Sequence, residues 1–183
     1  MIIKPIKIAD IDIVAQVAAE CFADDHFYAS LHSDREQRKE LLKKLFIESI
    51  HICILHGHAY FYESKGECIA FALWFNYNRL KKLDIKAFNH IFTSTDNHLE
   101  GKLKEELHSI ENILNGSREY FYLLAIGVTP SHRRQGIATT LVRKMLDTYP
   151  QYNLFADVSN QRSLKIYVRN SGKVRKLYFY PFT

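Results

Sequence analysis

The 183-residue chain is 47% hydrophobic and 25% charged, with a formal net charge of +5, a balance that fits one soluble domain with a full core. Its longest uncharged apolar runs, residues 68–75 and 120–128, are too short to cross a bilayer, Lys4, Lys7 and Asp10 break any signal-peptide pattern, and the dispersed basic residues argue against a nucleic-acid partner. Cys21, Cys53 and Cys68 have no close spacing and read as reduced thiols of a cytoplasmic protein.

Residues 1–8 read as a first strand, with Pro5 placing it at a sheet edge or a strand end. A helix over 9–22 follows: Asp10 stands as its cap, and Val14, Val17, Ala18, Cys21 and Phe22 share one face. Residues 23–28, Ala23-Asp24-Asp25-His26-Phe27-Tyr28, mix acids and aromatics and read as a loop. Ser33-Asp34-Arg35-Glu36 has capping-box spacing and starts a helix through Ile50 with Leu41, Leu42, Leu45 and Phe46 inward. Residues 52–55 and 59–63 read as strand, interrupted at His56-Gly57-His58. Ser64-Lys65-Gly66-Glu67 is a hairpin turn, and 68–75 is the next strand. The His56-x-His58 pair lacks a third ligand of matching spacing, so both read as solvated turn histidines and no metal is expected. Trp74, near the end of its strand, reads as either a core tryptophan or the wall of a cleft.

Residues 76–119 form a long insertion with helical spacing at Leu80, Leu83, Ala87 and Ile91. A second helix there starts at Asn97, with Glu100 three residues on, and turns Leu99, Leu103, Leu107, Ile110 and Leu114 inward before Asn115-Gly116-Ser117 ends it. The central strand, 119–128, runs into AIGVTPSHRRQGIATTLVRKMLD, residues 125–147. After Thr129-Pro130-Ser131 comes an amphipathic helix with Ile137, Leu141, Val142, Met145 and Leu146 on one face. The first amides of a helix lack intrahelical acceptors and its dipole puts roughly half a positive charge there, so this strand-loop-helix corner is an anion cradle. Its candidate donors run from Gln135 through Gly136, Ile137, Ala138 and Thr139. Gly136 leaves the backbone open to a bulky anion, Ala138 keeps the next turn slim, and Arg133 and Arg134 add charge. Residues 153–158 then read as a short buried strand, and Ser159 or Asn160 caps a helix carrying Leu164, Ile166 and Tyr167.

The cradle has neither the Gly-Lys-Ser/Thr ending of a P-loop nor the three spaced glycines of a dinucleotide fingerprint. Arg133-x-x-Gly136-x-Ala138 instead resembles the Arg/Gln-x-x-Gly-x-Gly/Ala signature of the GNAT superfamily of N-acetyltransferases. NLFADVSNQRSLKIYVRNSG, residues 153–172, resembles the same family's strand, Asn, small Tyr-bearing helix and Gly-containing turn. The likeness extends over most of the chain. Through Phe22-Ala23-Asp24-Asp25, Trp74 and Tyr120-Phe121-Tyr122-Leu123 it looks like the puromycin N-acetyltransferase-like branch, although His26 stands where that branch commonly has Pro and Gly172-Lys173 where it has Gly-Phe.

The resemblance implies an α/β (α+β) GNAT fold, a mixed and mostly antiparallel central sheet flanked by helices with splayed central strands. It implies one domain over residues 1–183, with 76–119 shaping the acceptor side. Acetyl-CoA is the implied cosubstrate: the loop grips its pyrophosphate, and backbone groups of Ile126, Gly127 and Val128 hold the pantetheine and polarise the thioester carbonyl. Asn160 and Ser163 complete the cofactor contacts, and Tyr167 points its hydroxyl at the thioester sulfur. The sequence ends at Thr183, soon after Tyr178-Phe179-Tyr180-Pro181-Phe182, where the family usually completes another strand. An open edge there favours dimerisation or leaves the acceptor site unfinished, so monomer and homodimer both stand.

The implied reaction is acetyl transfer to the primary amine of a small molecule by direct attack in a ternary complex. At neutral pH an ammonium of pKa about 10.4 requires roughly 4–5 kcal/mol of deprotonation help. Glu119, Tyr122, Asp24, Asp25 and His26 are the candidate bases, acting directly or through water. Full proton transfer from a phenol to a thiolate is uphill by about 2 kcal/mol, so Tyr167 serves as general acid or as hydrogen-bond donor to sulfur. The three cysteines sit in apolar patterns typical of inert buried thiols. A CoA-binding sensor or interaction domain and a protein or peptide N-acetyltransferase are the alternative classes.

Overall fold

The computed structural model describes residues 2–29, 32–76 and 120–156. Strand β1 (Ile2–Pro5) leads through a 3-10 turn at Ile8–Asp10 into α1 (Ile11–Phe22), a short α2 (His26–Ala29) and the long α3 (Arg35–His56). Strands β2 (Gly57–Ser64), β3 (Glu67–Asn76) and β4 (Tyr120–Val128) follow, then a 3-10 turn at Pro130–His132, helix α4 (Ile137–Thr148) and β5 (Asn153–Ala156). The strands form one sheet in the order β1-β2-β3-β4-β5, antiparallel except for the parallel β4–β5 pair. This is the expected α/β architecture, a mixed sheet with helices on both faces.

Two apolar layers hold it together. On one face α1 and α3 set Val14, Ala15, Ala18, Leu42, Phe46, Ile50 and Cys53 against Phe61, Phe71, Leu73, Phe75 and Ala125. On the other, α4 sets Ile137, Leu141, Val142 and Met145 against Ala70, Ala72, Trp74, Phe121 and Leu123. Covered on both sides, β3 is buried continuously from Ile69 to Asn76, which explains its unbroken apolar sequence. Trp74 is a core residue, 1% exposed, and its indole Nε1 has no hydrogen-bond partner among the described residues.

Strand β4 contains a bulge. Leu73 faces Ala125 and Trp74 faces Leu123, leaving Leu124 as the extra residue. One surplus residue reverses the alternation of side chains along a strand. Phe121 and Leu123 therefore pack toward α4, Leu124 and Ala125 both pack toward α1 and α3, and Ile126 and Val128 return to the α4 face. Pairing with β5 runs from Tyr120–Asn153 to Leu123–Ala156, and residues 124–128 of β4 lie beyond the last described pair.

Local chemistry shifted several boundaries. The first strand stops at Pro5, and just beyond it the Ile6 amide donates to Ala59 O at 2.8 Å. Asp10 accepts from the Lys7 amide at 2.9 Å and leaves the start of α1 without a side-chain cap. Residues 23–28, read as loop, contain the start of α2. Asp34, not Ser33, caps α3, its Oδ1 accepting from the Gln37 amide at 2.8 Å. Residues 52–55 are helical, not strand: burial at Phe46, Ser49, Ile50 and Cys53 keeps helical spacing, and α3 closes where the Gly57 amide donates to Cys53 O. His58 consequently lies inside β2, its ring 4.4 Å from that of Tyr149 rather than in a solvated turn. The hairpin stands as expected, with Lys65 and Gly66 at φ 52° and 84° between the paired Ser64 and Glu67. The helices expected in the insertion, at 77–119, and all residues from 157 onward lie outside the described residues.

Helix α1 meets β4 at Gly127, where an added Cβ would lie 2.5 Å from Phe71 Cε1 and 3.0 Å from Cys21 Cβ. Both neighbours sit in packed surroundings. Gly127→Ala is expected to lower stability by about 1–3 kcal/mol in urea titrations; an unchanged midpoint would mean that the helix and strand are not in this contact.

Candidate functional site

The site grows from the end of β4. The Thr129 amide donates to Ile69 O at 2.9 Å, anchoring the strand exit, and Pro130 starts the second 3-10 turn with its fixed φ. Arg133 is extended at φ −65° and ψ 158°, Arg134 is left-handed at φ 64°, and Gly136 is left-handed at φ 79°. Two left-handed residues separated by one residue turn the backbone sharply into α4, a loop conformation of the kind found in anion nests. No Cβ clash confines Gly136: the space around it is open to 4 Å, and its φ is what favours glycine.

Gly136 is also the N-cap of α4 and carries no side chain to satisfy the helix. The first intrahelical bond is Thr140 N–H to Gly136 O at 3.0 Å, so the amides of Ile137, Ala138 and Thr139 precede the ladder. The first turn holds no acidic residue. Buried Ile137 anchors the turn to the sheet while Arg133, Arg134, Gln135 and Gly136 stay exposed. The result is a row of amides that precede the helical ladder at the positive pole of a helix, next to an exposed loop.

The side chains around this row differ in their commitments. Arg133 donates from Nε to Val128 O at 3.1 Å and from Nη2 to Cys21 O at 3.3 Å. Gln135 Nε2 reaches Ser131 O at 3.5 Å, and Thr129 Oγ1 and Ser131 Oγ lie 2.9 and 3.0 Å from His132 Nδ1. Arg134 makes no hydrogen bond or ion pair among the described residues. Ile126, Gly127, Val128 and residues 133–139 thus gather at one corner of the sheet, whereas Asn160, Ser163 and Tyr167 lie outside the described residues.

Among the candidate bases, Tyr122 stacks on Phe155 at 5.7 Å. Asp24 takes a two-point contact from Arg35, at 2.9 and 3.2 Å, and that guanidinium holds its carboxyl below the usual carboxylate range, which weakens it as a proton acceptor. Arg35 lowers the Glu20 carboxyl in the same way. Both shifts favour the folded state above the ordinary carboxylate range, and the benefit is lost as pH falls through the lowered values. Asp25 starts a turn by accepting amides of Tyr28 and Ala29. Glu119 and the His26 side chain are outside the described set.

One residue was missed. Arg38 is 8% exposed, and its Nε donates to Ala23 O at 2.6 Å while Nη1 donates to His32 O and, at 3.4 Å, to Ser33 O. The signal was present in the sequence: Arg38 falls on the inward stripe of α3 with Leu42, Phe46 and Cys53, where a charge needs several acceptors.

A model of the Acetyltransferase (GNAT) family matches residues 19–172. No curated protein sequence matches. Solved structures resemble the fold. The histone acetyltransferase HPA2 and related acetyltransferase of Corynebacterium glutamicum has a TM-score of 0.63 at 19% identity, covering 91% of this chain and 81% of that one. An N-acetyltransferase of Staphylococcus aureus gives 0.60 at 17% identity, with coverages of 93% and 90%. The polyamine N-acetyltransferase of Drosophila melanogaster gives 0.61 at 10% identity, with coverages of 92% and 80%.

Burial pushes the Cys21 thiol up to about 12 and the Cys68 thiol up to about 11, and raises buried Cys53 as well. None of the three is a ready nucleophile near neutral pH. At pH 8, iodoacetamide should label Cys21 and Cys68 about a hundredfold more slowly in the folded protein than in urea; equal rates by mass spectrometry would show that these thiols are accessible and ionised.

Proposed function

The chain belongs to the GNAT acetyltransferase family, and we propose that it is an acetyl-CoA-dependent N-acetyltransferase acting on the primary amine of a small molecule by direct attack in a ternary complex. One observation carries the reading: α4 begins at a left-handed glycine, with amides that precede the helical ladder, no side-chain cap among the described residues and no acidic residue in its first turn. A diphosphate is the chemistry that such an end accepts. Acetyl-CoA supplies the activated acyl group as a thioester.

The chain's own residues bind, orient and handle protons. Amides of Gln135, Gly136, Ile137, Ala138 and Thr139 receive the diphosphate, and the field of Arg133 and Arg134 favours its charge. Ile126, Gly127 and Val128 offer main-chain groups past the last described β4–β5 pair, where the pantetheine and thioester carbonyl are held. Asn160 and Ser163 orient the pantetheine arm. The Tyr167 hydroxyl donates toward the departing sulfur. Side-by-side binding of the two substrates provides the proximity term.

The acceptor is a small amine in this reading, supported by the likeness to the puromycin N-acetyltransferase-like branch and by a fold neighbour that is a polyamine N-acetyltransferase forming N-acetylagmatine. Residues 1–183 act as one domain, cytoplasmic and monomeric or homodimeric, and the insertion at 76–119 covers the acceptor side.

Saturating acetyl-CoA should raise the melting temperature, since ligand at a hundred times its Kd adds about 2.7 kcal/mol. Gly136→Val, which strains the left-handed cap and blocks the backbone, should weaken CoA at least about tenfold by calorimetry. In an amine panel, free thiol should appear with at least one amine, and Tyr167→Phe should slow it about a hundredfold. CoA binding without turnover on any amine would instead identify a CoA-binding interaction domain; no CoA binding at all would defeat both readings.

A further inference from the structure

We propose that Arg133 is a positioning residue: its guanidinium straps the cofactor loop to the C-terminal end of α1 and, opposite Arg38, fixes the acceptor-side turn against the cradle instead of gripping a phosphate. The inference rests on the reading of residues 133–139 as the cofactor loop.

The last carbonyls of a helix have no intrahelical donor and lie at its negative pole. At the end of α1 they are claimed by two arginines from different elements. Cys21 O accepts Arg133 Nη2 from the cradle side at 3.3 Å, and just beyond the helix Ala23 O accepts Arg38 Nε from α3 at 2.6 Å. Arg38 extends the same grip to His32 O and Ser33 O across the segment that follows. Arg35, one turn earlier on α3, clasps Asp24 and Glu20 on the outside. The short stretch from Cys21 to Asp24 is therefore held from both flanks by three guanidinium groups.

Arg133 also donates from Nε to Val128 O at 3.1 Å, so one planar fork joins the final β4 carbonyl to a terminal α1 carbonyl. Beside this bridge α1 and β4 approach closely, and Cys21 Cβ would lie 3.0 Å from a Cβ placed on Gly127. Presenting the Nε–Nη2 edge of Arg133 to a phosphate would release both carbonyls. Arg134 faces no such conflict: exposed and unbonded among the described residues, it supplies positive charge at the nest without giving up a structural contact. The sequence motif places an Arg at the loop, and the geometry divides the labour between the two neighbours.

The turn that Arg133 steadies has its own reporters. Asp25 N–H donates to Phe22 O at 3.0 Å, Tyr28 N–H to Asp25 O at 3.1 Å, and Ala29 N–H to Asp25 O at 2.9 Å. These amides lose protection when the turn opens, and the buried ladder of β3 is an internal control.

The test uses the full chain, its Arg133→Met and Arg133→Lys variants, amide hydrogen exchange by mass spectrometry, and CoA titration by calorimetry. Arg133→Met should speed exchange in 22–29 about tenfold, leave 67–76 unchanged, and weaken CoA by less than about fivefold, the share of a nearby charge that makes no direct contact. Arg133→Lys, which retains the charge and can satisfy one carbonyl, should fall between the two. A CoA affinity reduced about tenfold or more with unchanged exchange in 22–29 would make Arg133 a phosphate ligand and overturn the proposal. Exchange unchanged in 22–29, or raised equally in 67–76, would overturn it as well. If the parent protein itself fails to bind CoA, the cofactor reading falls; the proposal falls with it only as regards the cradle, and the exchange comparison still decides whether Arg133 straps β4 to α1.

Discussion

A single extra residue in β4 determines where the rest of the strand can point. Opposite Leu73 and Trp74 the strand supplies Leu123, Leu124 and Ala125, and this surplus reverses the side-chain alternation halfway along. Before it, Phe121 and Leu123 lie under α4; after it, Ala125 lies under α1 and α3. Both halves of β4 stay buried only because the reversal is matched by two different layers. A regular strand of the same sequence would carry Ile126 and Val128 to the wrong face.

The same reversal leads to the cradle. The end of β4 emerges beside α1 at Gly127, runs through the 3-10 turn, and delivers the chain to α4 with its first amides ahead of the helical ladder. Ile137, Leu141, Val142 and Met145 then press α4 back onto the sheet that β4 belongs to. Burial of the helix on its apolar stripe holds the polar end in place, so the stability of the layer and the geometry of the proposed anion site have a common origin. At roughly 25 cal/mol per Å² of apolar surface, these four side chains outweigh the few tenths of a kcal/mol that a missing glycine N-cap side chain forgoes. An uncapped helix start is thus tolerable here and available for a ligand.

Much of this was legible in the residues. The stripe of α4, the Lys65-Gly66 hairpin and the strand-loop-helix corner follow from local pattern because each is set by near neighbours. The bulge was not legible: residues 120–128 are nearly all apolar, and a run buried on both faces shows no alternation to interrupt. The end of α3 failed for a related reason. Ile52 and Ile54 look like alternating strand residues, and only the burial of Cys53 with Ile50 and Phe46 shows the helical period continuing. Asp34 displaced Ser33 as the cap because either residue type can accept an amide and the register is set by where α3 packs. The inward place of Arg38 on the α3 stripe was legible, but its partners were not, since they are carbonyls on a different segment.

The central claim is that main-chain amides at the start of α4 receive the diphosphate of a CoA thioester. The most direct measurement is a titration of the 15N-labelled protein with CoA, followed through the backbone amide resonances. The account predicts that the largest shifts fall on Gln135 through Thr139, with a second set at Ile126 to Val128 and little change at β1 or β2. Resonances of 135–139 that stay in place at saturating CoA, or the largest shifts appearing elsewhere in the sheet, would contradict it.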